Sequence, residues 1–312
     1  MSKPTKLDTK QHIHQLLDNY DNFLFDCDGV IWLDEVLIPG VLDTINFLQA
    51  QGKRVAFISN NSSKSRQEYV EKFDKLGFKN ITIDIIYPTC YAAALTVKEE
   101  LQIPAGSKVW VLGDHGIEEE LRQQGYIPVG GSDPALDTEF DLDHQLLQVD
   151  PHVKAVVVGS TKKFNYMRIA TTLQYLLHQN KSLPFIGTNI DRSYPGHGGL
   201  VLPAGGSVVN YMEYTANREF INVGKPSPLL LDTVLKHQGF ERDRTVMVGD
   251  TLYTDIKFGN DGKLGGGNGG SLLVLSGGTK HHDLEELHTL DQSMVPSFIM
   301  DSIGELVHFI DN

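Results

Sequence analysis

Short apolar runs that read as strands alternate along this chain with segments of helical period, and several of these runs stop abruptly at polar residues. Phe23-Leu24-Phe25 runs into Asp26-Cys27-Asp28-Gly29-Val30, and Arg54-Val55-Ala56-Phe57-Ile58 closes on Ser59-Asn60-Asn61-Ser62. Thr245-Val246-Met247-Val248 ends in Gly249-Asp250, after which residues 251–255 begin a helix. Residues 10–18 read as a helix, residues 42–51 as a helix stopped by Gly52, and residues 64–76 as a helix closed by Gly77. Alternation of this kind builds a parallel sheet. Ligands bind such sheets in the crevice beyond the carboxyl ends of the strands, where these polar clusters would meet.

Between the second cluster and Gly224-Lys225-Pro226 lies a stretch far longer than a crossover needs. It carries strands of its own at 109–112, 155–158 and 184–186, alternating with helices such as 116–124 and 166–178. The pattern predicts an α/β protein: a doubly wound, Rossmann-like parallel-sheet core with a large α/β domain inserted into it. A helix at 91–101 fits either domain on pattern alone, and the polar stretch 215–218 marks the return to the core.

Successive side chains of a strand point to opposite faces, so Asp26 and Asp28 would project together while Cys27 points away. Two like charges held side by side are costly unless a cation neutralises them or one carries a proton. Mg²⁺ suits such a pair, because it takes one or two carboxylates together with substrate phosphate oxygens. D-x-D-G also occurs in solvated turns, so the pair alone leaves both readings open. The hydroxyl and amide groups of Ser59, Asn60 and Asn61, the lysine set between two backbone punctuators, and Asp250 turn the balance towards one converging anion site.

In this order, D-x-D-G-V, a strand ending S-N-N, G-K-P and G-D-x-x-x-x-D, the chain resembles the haloacid dehalogenase superfamily of phosphatases. Within it the chain is similar to the 4-nitrophenylphosphatase and phosphoglycolate phosphatase branch, on residues 23–32, 59–66, 187–191 and 249–255. The resemblance runs from about residue 16 to the end and implies a catalytic core of residues 1–104 and 217–312, with residues 105–216 as a cap of the second type. It implies that Asp26 is the nucleophile forming an aspartyl-phosphate and that Asp28 is general acid and then base. Mg²⁺ would be held by Asp26, Asp250 and the backbone carbonyl of Asp28. Ser59, Asn60, Asn61 and Lys225 would bind phosphate oxygens, Asp255 would support that shell, and Tyr194 in segment 187–195 would face the substrate. Relatives often pair through their caps, so a homodimer through the cap is an expectation. The substrates implied are small phosphomonoesters such as phosphoglycolate, including by-products of central metabolism, which makes metabolite repair the expected role. A phosphotransferase, a dehalogenase and a non-enzymatic phosphoacceptor module share the fold. Asp28 counts against the dehalogenase and the large insertion against the module.

Bulk properties change this picture in one respect. The 312 residues are 40% hydrophobic, enough for one or two domains, but the net charge is −13. That charge argues against nucleic acid or an anionic membrane as partner, so an anionic substrate must be drawn in by a local cation and lysine. The first 21 residues are polar, no run approaches the roughly 18 apolar residues of a membrane helix, and a soluble cytoplasmic protein is expected. Cys27 and Cys90 suggest reduced thiols. The glycine run 265–270 reads as a flexible connection, residues 283–286 as a solvated helix start, and neither His12 with His14 nor His281 with His282 is spaced for zinc.

Overall fold

The computed structural model describes residues 4–195 and 200–309. They fall into two compact units: the described residues of Met1–Ser59, Val70–Tyr87 and Lys225–Asn312, and those of Asn60–Tyr69 and Pro88–Gly224.

The first unit is built on a seven-stranded sheet in the order Thr5–Lys6, Phe298–Met300, Ser271–Val274, Thr245–Gly249, Asn22–Phe25, Arg54–Ser59, Ile86–Pro88. The pairings from Thr5–Lys6 through to Arg54–Ser59 are all parallel. From Asn22–Phe25 the chain moves to Arg54–Ser59 on one side and later returns to Thr245–Gly249 on the other. The strand order therefore reverses across Asn22–Phe25, and the carboxyl end of such a strand is where open α/β sheets bind ligands. All four residues of this strand are buried, as expected of a strand covered on both faces, which is why its sequence is continuously apolar. Phe25 stacks on Phe57 at 5.9 Å between centroids and Phe57 meets Phe73 at 4.5 Å, each buried ring worth roughly 1.5–3 kcal/mol.

The predicted helices appear as Lys10–Asn19, Val41–Ala50 and Arg66–Lys75. The first is capped by Thr9, whose hydroxyl accepts from the His12 N–H at 3.2 Å. The glycine run resolves into a short turn, Gly266–Asn268, leading into strand Ser271–Val274, and so serves as the expected connection.

The second unit has its own five-stranded parallel sheet, in the order Ile221–Asn222, Phe185–Gly187, Val153–Val158, Lys108–Leu112, Ile127–Gly130. Trp110 stacks on Tyr175 at 4.5 Å and its indole N–H donates to Thr172 Oγ1 at 2.9 Å, so this buried ring has its polar atom satisfied. Helix Tyr166–Lys181 leaves helical geometry at His178, where the sequence pattern ends it. A hairpin of Ser193–Pro195 with Val201–Pro203 sets Tyr194 opposite Leu202.

The division into units differs from the sequence boundaries. The family resemblance groups residues 1–104 and 217–312, whereas 60–69, 88–104 and 217–224 pack with the second unit. The helix at 91–101 is an α-helix, Thr89–Leu95, that widens into a π-helical turn, Thr96–Glu100. A buried cluster joins residues 60–69 and 88–104 to helix His115–Gln123. Arg66 Nε donates to Glu120 Oε2 at 2.9 Å, and its guanidinium carbon lies 3.5 Å from the centroid of the Tyr91 ring. Among the described residues no helix is long and apolar enough to cross a membrane, and Cys27 and Cys90 are buried free thiols.

Candidate active site

Three neighbouring strands of the first unit each deliver a polar residue at the same edge of the sheet. Asp26 follows Asn22–Phe25, Ser59 ends Arg54–Ser59, and Asp250 follows Thr245–Gly249. The Asp26 N–H donates to the Val248 carbonyl at 2.9 Å, which extends the ladder by one residue and fixes where its side chain starts.

Asp26, Asp250 and Asp255 are all buried, and one oxygen from each lies within 4.8 Å of the others. Among the described residues one buried cation is paired with them: Lys225 Nζ is 2.5 Å from Asp26 Oδ1, 2.7 Å from Asp255 Oδ1 and 3.1 Å from the Ile58 carbonyl. Three carboxylates, when ionised, against one ammonium would leave two negative charges unbalanced in a buried space. That deficit and the all-oxygen donor set fit a hard divalent cation such as Mg²⁺.

The electrostatics follow from burial. Asp26 is pushed well above the usual carboxylate range by desolvation, against the pull of Lys225. Asp250 is raised to about 7, first by burial and then by the charge of Asp255. For Lys225 burial opposes the charge, but Asp255 and Asp26 outweigh it and hold the ammonium protonated. Burial beside Asp26 and Asp28 pushes the Cys27 thiol well up, so this cysteine is a neutral packing residue.

Asp255 is placed by a π-helical turn, Leu252–Ile256, that folds its carboxylate back on the strand end. Its Oδ2 accepts from the Asp250 N–H at 3.1 Å and the Thr251 N–H at 3.0 Å, while Oδ1 faces Lys225. Gly249 is required here, because a Cβ at that position would overlap the Asp255 side chain.

Asp28 takes a different place from that given by strand alternation. The strand ends at Phe25, so the period of two does not reach across to Asp28. Asp28 is exposed, its Oδ1 accepts from the Trp32 indole N–H at 2.9 Å, and its carboxylate is not one of the clustered three.

The remaining predicted residues belong to the second unit. Asn60 Nδ2 donates to Asp191 Oδ2 at 3.0 Å, and its carbonyl accepts from Thr89 Oγ1 at 2.9 Å and Asn189 Nδ2 at 2.7 Å. Asn61 Oδ1 accepts from the Ser63 N–H at 2.8 Å. Tyr194 stands on the hairpin with 42% of its surface exposed.

Sequence reasoning missed the turn after strand Ser271–Val274. The Gly278 N–H donates to Asp250 Oδ2 at 2.5 Å, and Ser276 Oγ donates to the Gly29 carbonyl at 2.7 Å. The signal was of the same kind as the others, an apolar strand running into Ser276-Gly277-Gly278-Thr279.

This fold and acidic centre define a class, and comparison with known proteins gives the same one. Residues 23–127 match the family model described as haloacid dehalogenase-like hydrolase, and residues 222–306 match a second, HAD-hydrolase-like model. The chain belongs to the haloacid dehalogenase-like hydrolases, and within them to the phosphoric monoester hydrolases. It is 37% identical to the 4-nitrophenylphosphatase of Schizosaccharomyces pombe, over 96% of this chain and 98% of that one. It is 36% identical to phosphoglycolate phosphatase 2 of Arabidopsis thaliana, over 97% and 98%. Among solved structures, the p-nitrophenyl phosphatase from Archaeoglobus fulgidus superposes with a TM-score of 0.75 at 28% identity, covering 93% of this chain and 98% of that one.

Proposed function

We propose that this protein is a Mg²⁺-dependent phosphatase that hydrolyses small phosphomonoesters through an aspartyl-phosphate on Asp26. The observation that carries the reading is the buried acidic cluster, faced by one lysine, at the switch point of the sheet. Asp26 attacks phosphorus in line; the new bond is carboxylate oxygen to phosphorus, and the ester bond to the leaving oxygen breaks. Asp28, at the solvent side of the turn, gives that oxygen a proton. In the second half Asp28 takes a proton from water as it attacks phosphorus, the acyl-phosphate bond breaks, and inorganic phosphate leaves with Asp26 regenerated. Ser59, Lys225, Asn60 and Asn61 bind the phosphate oxygens.

Asp26 and Asp250, with the Asp28 carbonyl, would hold Mg²⁺, which when bound offsets the repulsion between carboxylate and phosphate. Both oxygens of Asp255 are already engaged by Lys225 and by two backbone N–H groups, which supports a supporting role for it.

Residues 105–216 act as the cap that selects the leaving group, with Tyr194 facing the substrate; its exposure on a hairpin supports this. The substrates proposed are 4-nitrophenyl phosphate and small phosphorylated acids of the phosphoglycolate type, in a metabolite-repair role. Pairing through the cap belongs to the same reading and is supported by the exposed aromatic rings of Tyr166 and Tyr214. Light scattering that gives a particle of 34.7 kDa instead of twice that mass removes the dimer.

The deciding experiment is phosphate release from 4-nitrophenyl phosphate and from a panel of small phosphorylated acids and sugars, with Mg²⁺ and after its removal. Transfer to an added alcohol in place of release would indicate a phosphotransferase. Stoichiometric phosphorylation without turnover would indicate a phosphoacceptor module.

A further inference from the structure

Strands Thr245–Gly249 and Ser271–Val274 are parallel neighbours, with Gly249 paired to Leu273, so the residues that follow each emerge side by side at one edge of the sheet. Asp250 follows the first strand, and Ser276-Gly277-Gly278-Thr279 lies just beyond the second. The Gly278 N–H donates to Asp250 Oδ2 at 2.5 Å, Thr251 Oγ1 donates to Asp250 Oδ1 at 3.1 Å, and the Thr279 N–H donates to the Asp250 carbonyl at 2.9 Å. Each carboxylate oxygen therefore carries one protein donor that fixes its rotation, and each retains lone-pair capacity for a cation.

Steric evidence is independent of these bonds. A Cβ at Gly277 would fall on Asp250 Oδ2 and 2.7 Å from the Gly29 Cα, and a Cβ at Gly29 would fall on the same oxygen. The Asp250 carboxylate lies in a slot between two glycine backbones. Ser276 Oγ closes the slot by donating to the Gly29 carbonyl at 2.7 Å, in the turn that follows Asp28.

We infer that Thr251 and the turn Ser276-Gly277-Gly278-Thr279 are positioning elements that pre-set Asp250 for the divalent cation. The inference rests on the metal-dependent reading above and adds residues which that reading does not use. Orienting a ligand before the metal arrives lowers the entropy lost on binding, and outer partners of this kind are typically worth about 10- to 100-fold in metal affinity.

The test is Mg²⁺ binding by calorimetry, without substrate, on the full chain and on Thr251→Val, Thr251→Ser and Gly277→Ala. Thr251→Val keeps the shape and removes the donor, so its Kd for Mg²⁺ rises by about tenfold while the melting temperature of the metal-free protein stays at that of the parent. Thr251→Ser restores the parent Kd. Gly277→Ala raises Kd further, and in both weakened variants kcat recovers at saturating Mg²⁺ while the Mg²⁺ concentration for half-activation shifts with Kd. Parent-like Mg²⁺ affinity in both Thr251→Val and Gly277→Ala overturns the inference. Should Gly277→Ala not fold, the Val and Ser pair at Thr251 decides alone. A parent protein that binds Mg²⁺ but releases no phosphate sinks the phosphatase reading and leaves this one standing; a parent that binds no Mg²⁺ overturns both.

Discussion

Lys225 holds two carboxylates at once, with Nζ 2.5 Å from Asp26 Oδ1 and 2.7 Å from Asp255 Oδ1. All three groups are buried, so their attraction is little screened and none is satisfied by bulk water. The lysine thereby aims the proposed nucleophile and fixes Asp255, which in turn braces the backbone N–H groups of Asp250 and Thr251. Losing Lys225 leaves both buried carboxylates without their shared cation.

Asp26→Asn abolishes steady-state turnover while the protein remains folded, because the amide is nearly isosteric but does not attack phosphorus. Steady-state phosphate release by freshly purified variant, checked for deamidation by mass spectrometry, is the measurement. Appreciable activity would falsify the assigned role.

Lys225→Met costs about 3–5 kcal/mol of stability in metal-free protein, since it breaks a buried ion pair from one side. Denaturant unfolding measures it, and Mg²⁺ recovers part of the loss by supplying positive charge to Asp26 and Asp250. A metal-free stability equal to the parent's removes the argument for this lysine as the balancing cation.

Chelation removes activity and Mg²⁺ restores it, whereas Ca²⁺, with longer bonds and looser geometry, restores little. Initial rates after exhaustive chelation, with each ion added back, check this. Full activity after chelation would be incompatible with the mechanism.

The pH dependence of stability follows from Asp250, raised from 3.8 to about 7 by burial and then by Asp255. The folded state then binds more protons than the unfolded state between these values, so this group's contribution is fully present below 3.8 and is lost as pH rises through about 7. Metal-free protein therefore loses stability across that window more steeply than Asp250→Asn does. Mg²⁺, which competes with the proton, stabilises more at pH 8 than at pH 5. Denaturation midpoints at the two pH values, with chelator and with Mg²⁺, test both parts; equal Mg²⁺ stabilisation at the two would contradict the assignment.

Tyr194→Ala changes the ranking of small phosphorylated acids by about tenfold or more in relative kcat/KM, the scale of a lost packed aromatic contact of roughly 1–3 kcal/mol. Hydrolysis of 4-nitrophenyl phosphate changes much less, because the residues around Asp26 are untouched. Parallel kinetics on several substrates are required: an unchanged ranking with normal stability places Tyr194 outside the specificity surface.

The strands and their ends were legible in the sequence. A strand buried on both faces is continuously apolar, and the first polar residue after it marks the edge of the sheet, so Asp26, Ser59 and Asp250 stand out locally. The second α/β unit was legible for the same reason, through Lys108–Leu112, Val153–Val158 and Phe185–Gly187. Only the tertiary structure decided which carboxylates meet. Asp26 clusters with Asp250 and Asp255 and not with the Asp28 carboxylate, because the strand stops at Phe25 and because its sheet neighbour, Thr245–Gly249, comes from more than two hundred residues away. Sheet order is a choice among non-local pairings that periodicity does not encode. The same holds for Lys225, whose two partners lie at a strand end and in a π-helical turn, and for Gly277 and Gly278, which look like an ordinary turn until Asp250 lies against them. The grouping of residues 60–69 with the second unit was likewise settled by packing, through the buried contact of Arg66 with Glu120 and Tyr91, none of which is near the others in sequence.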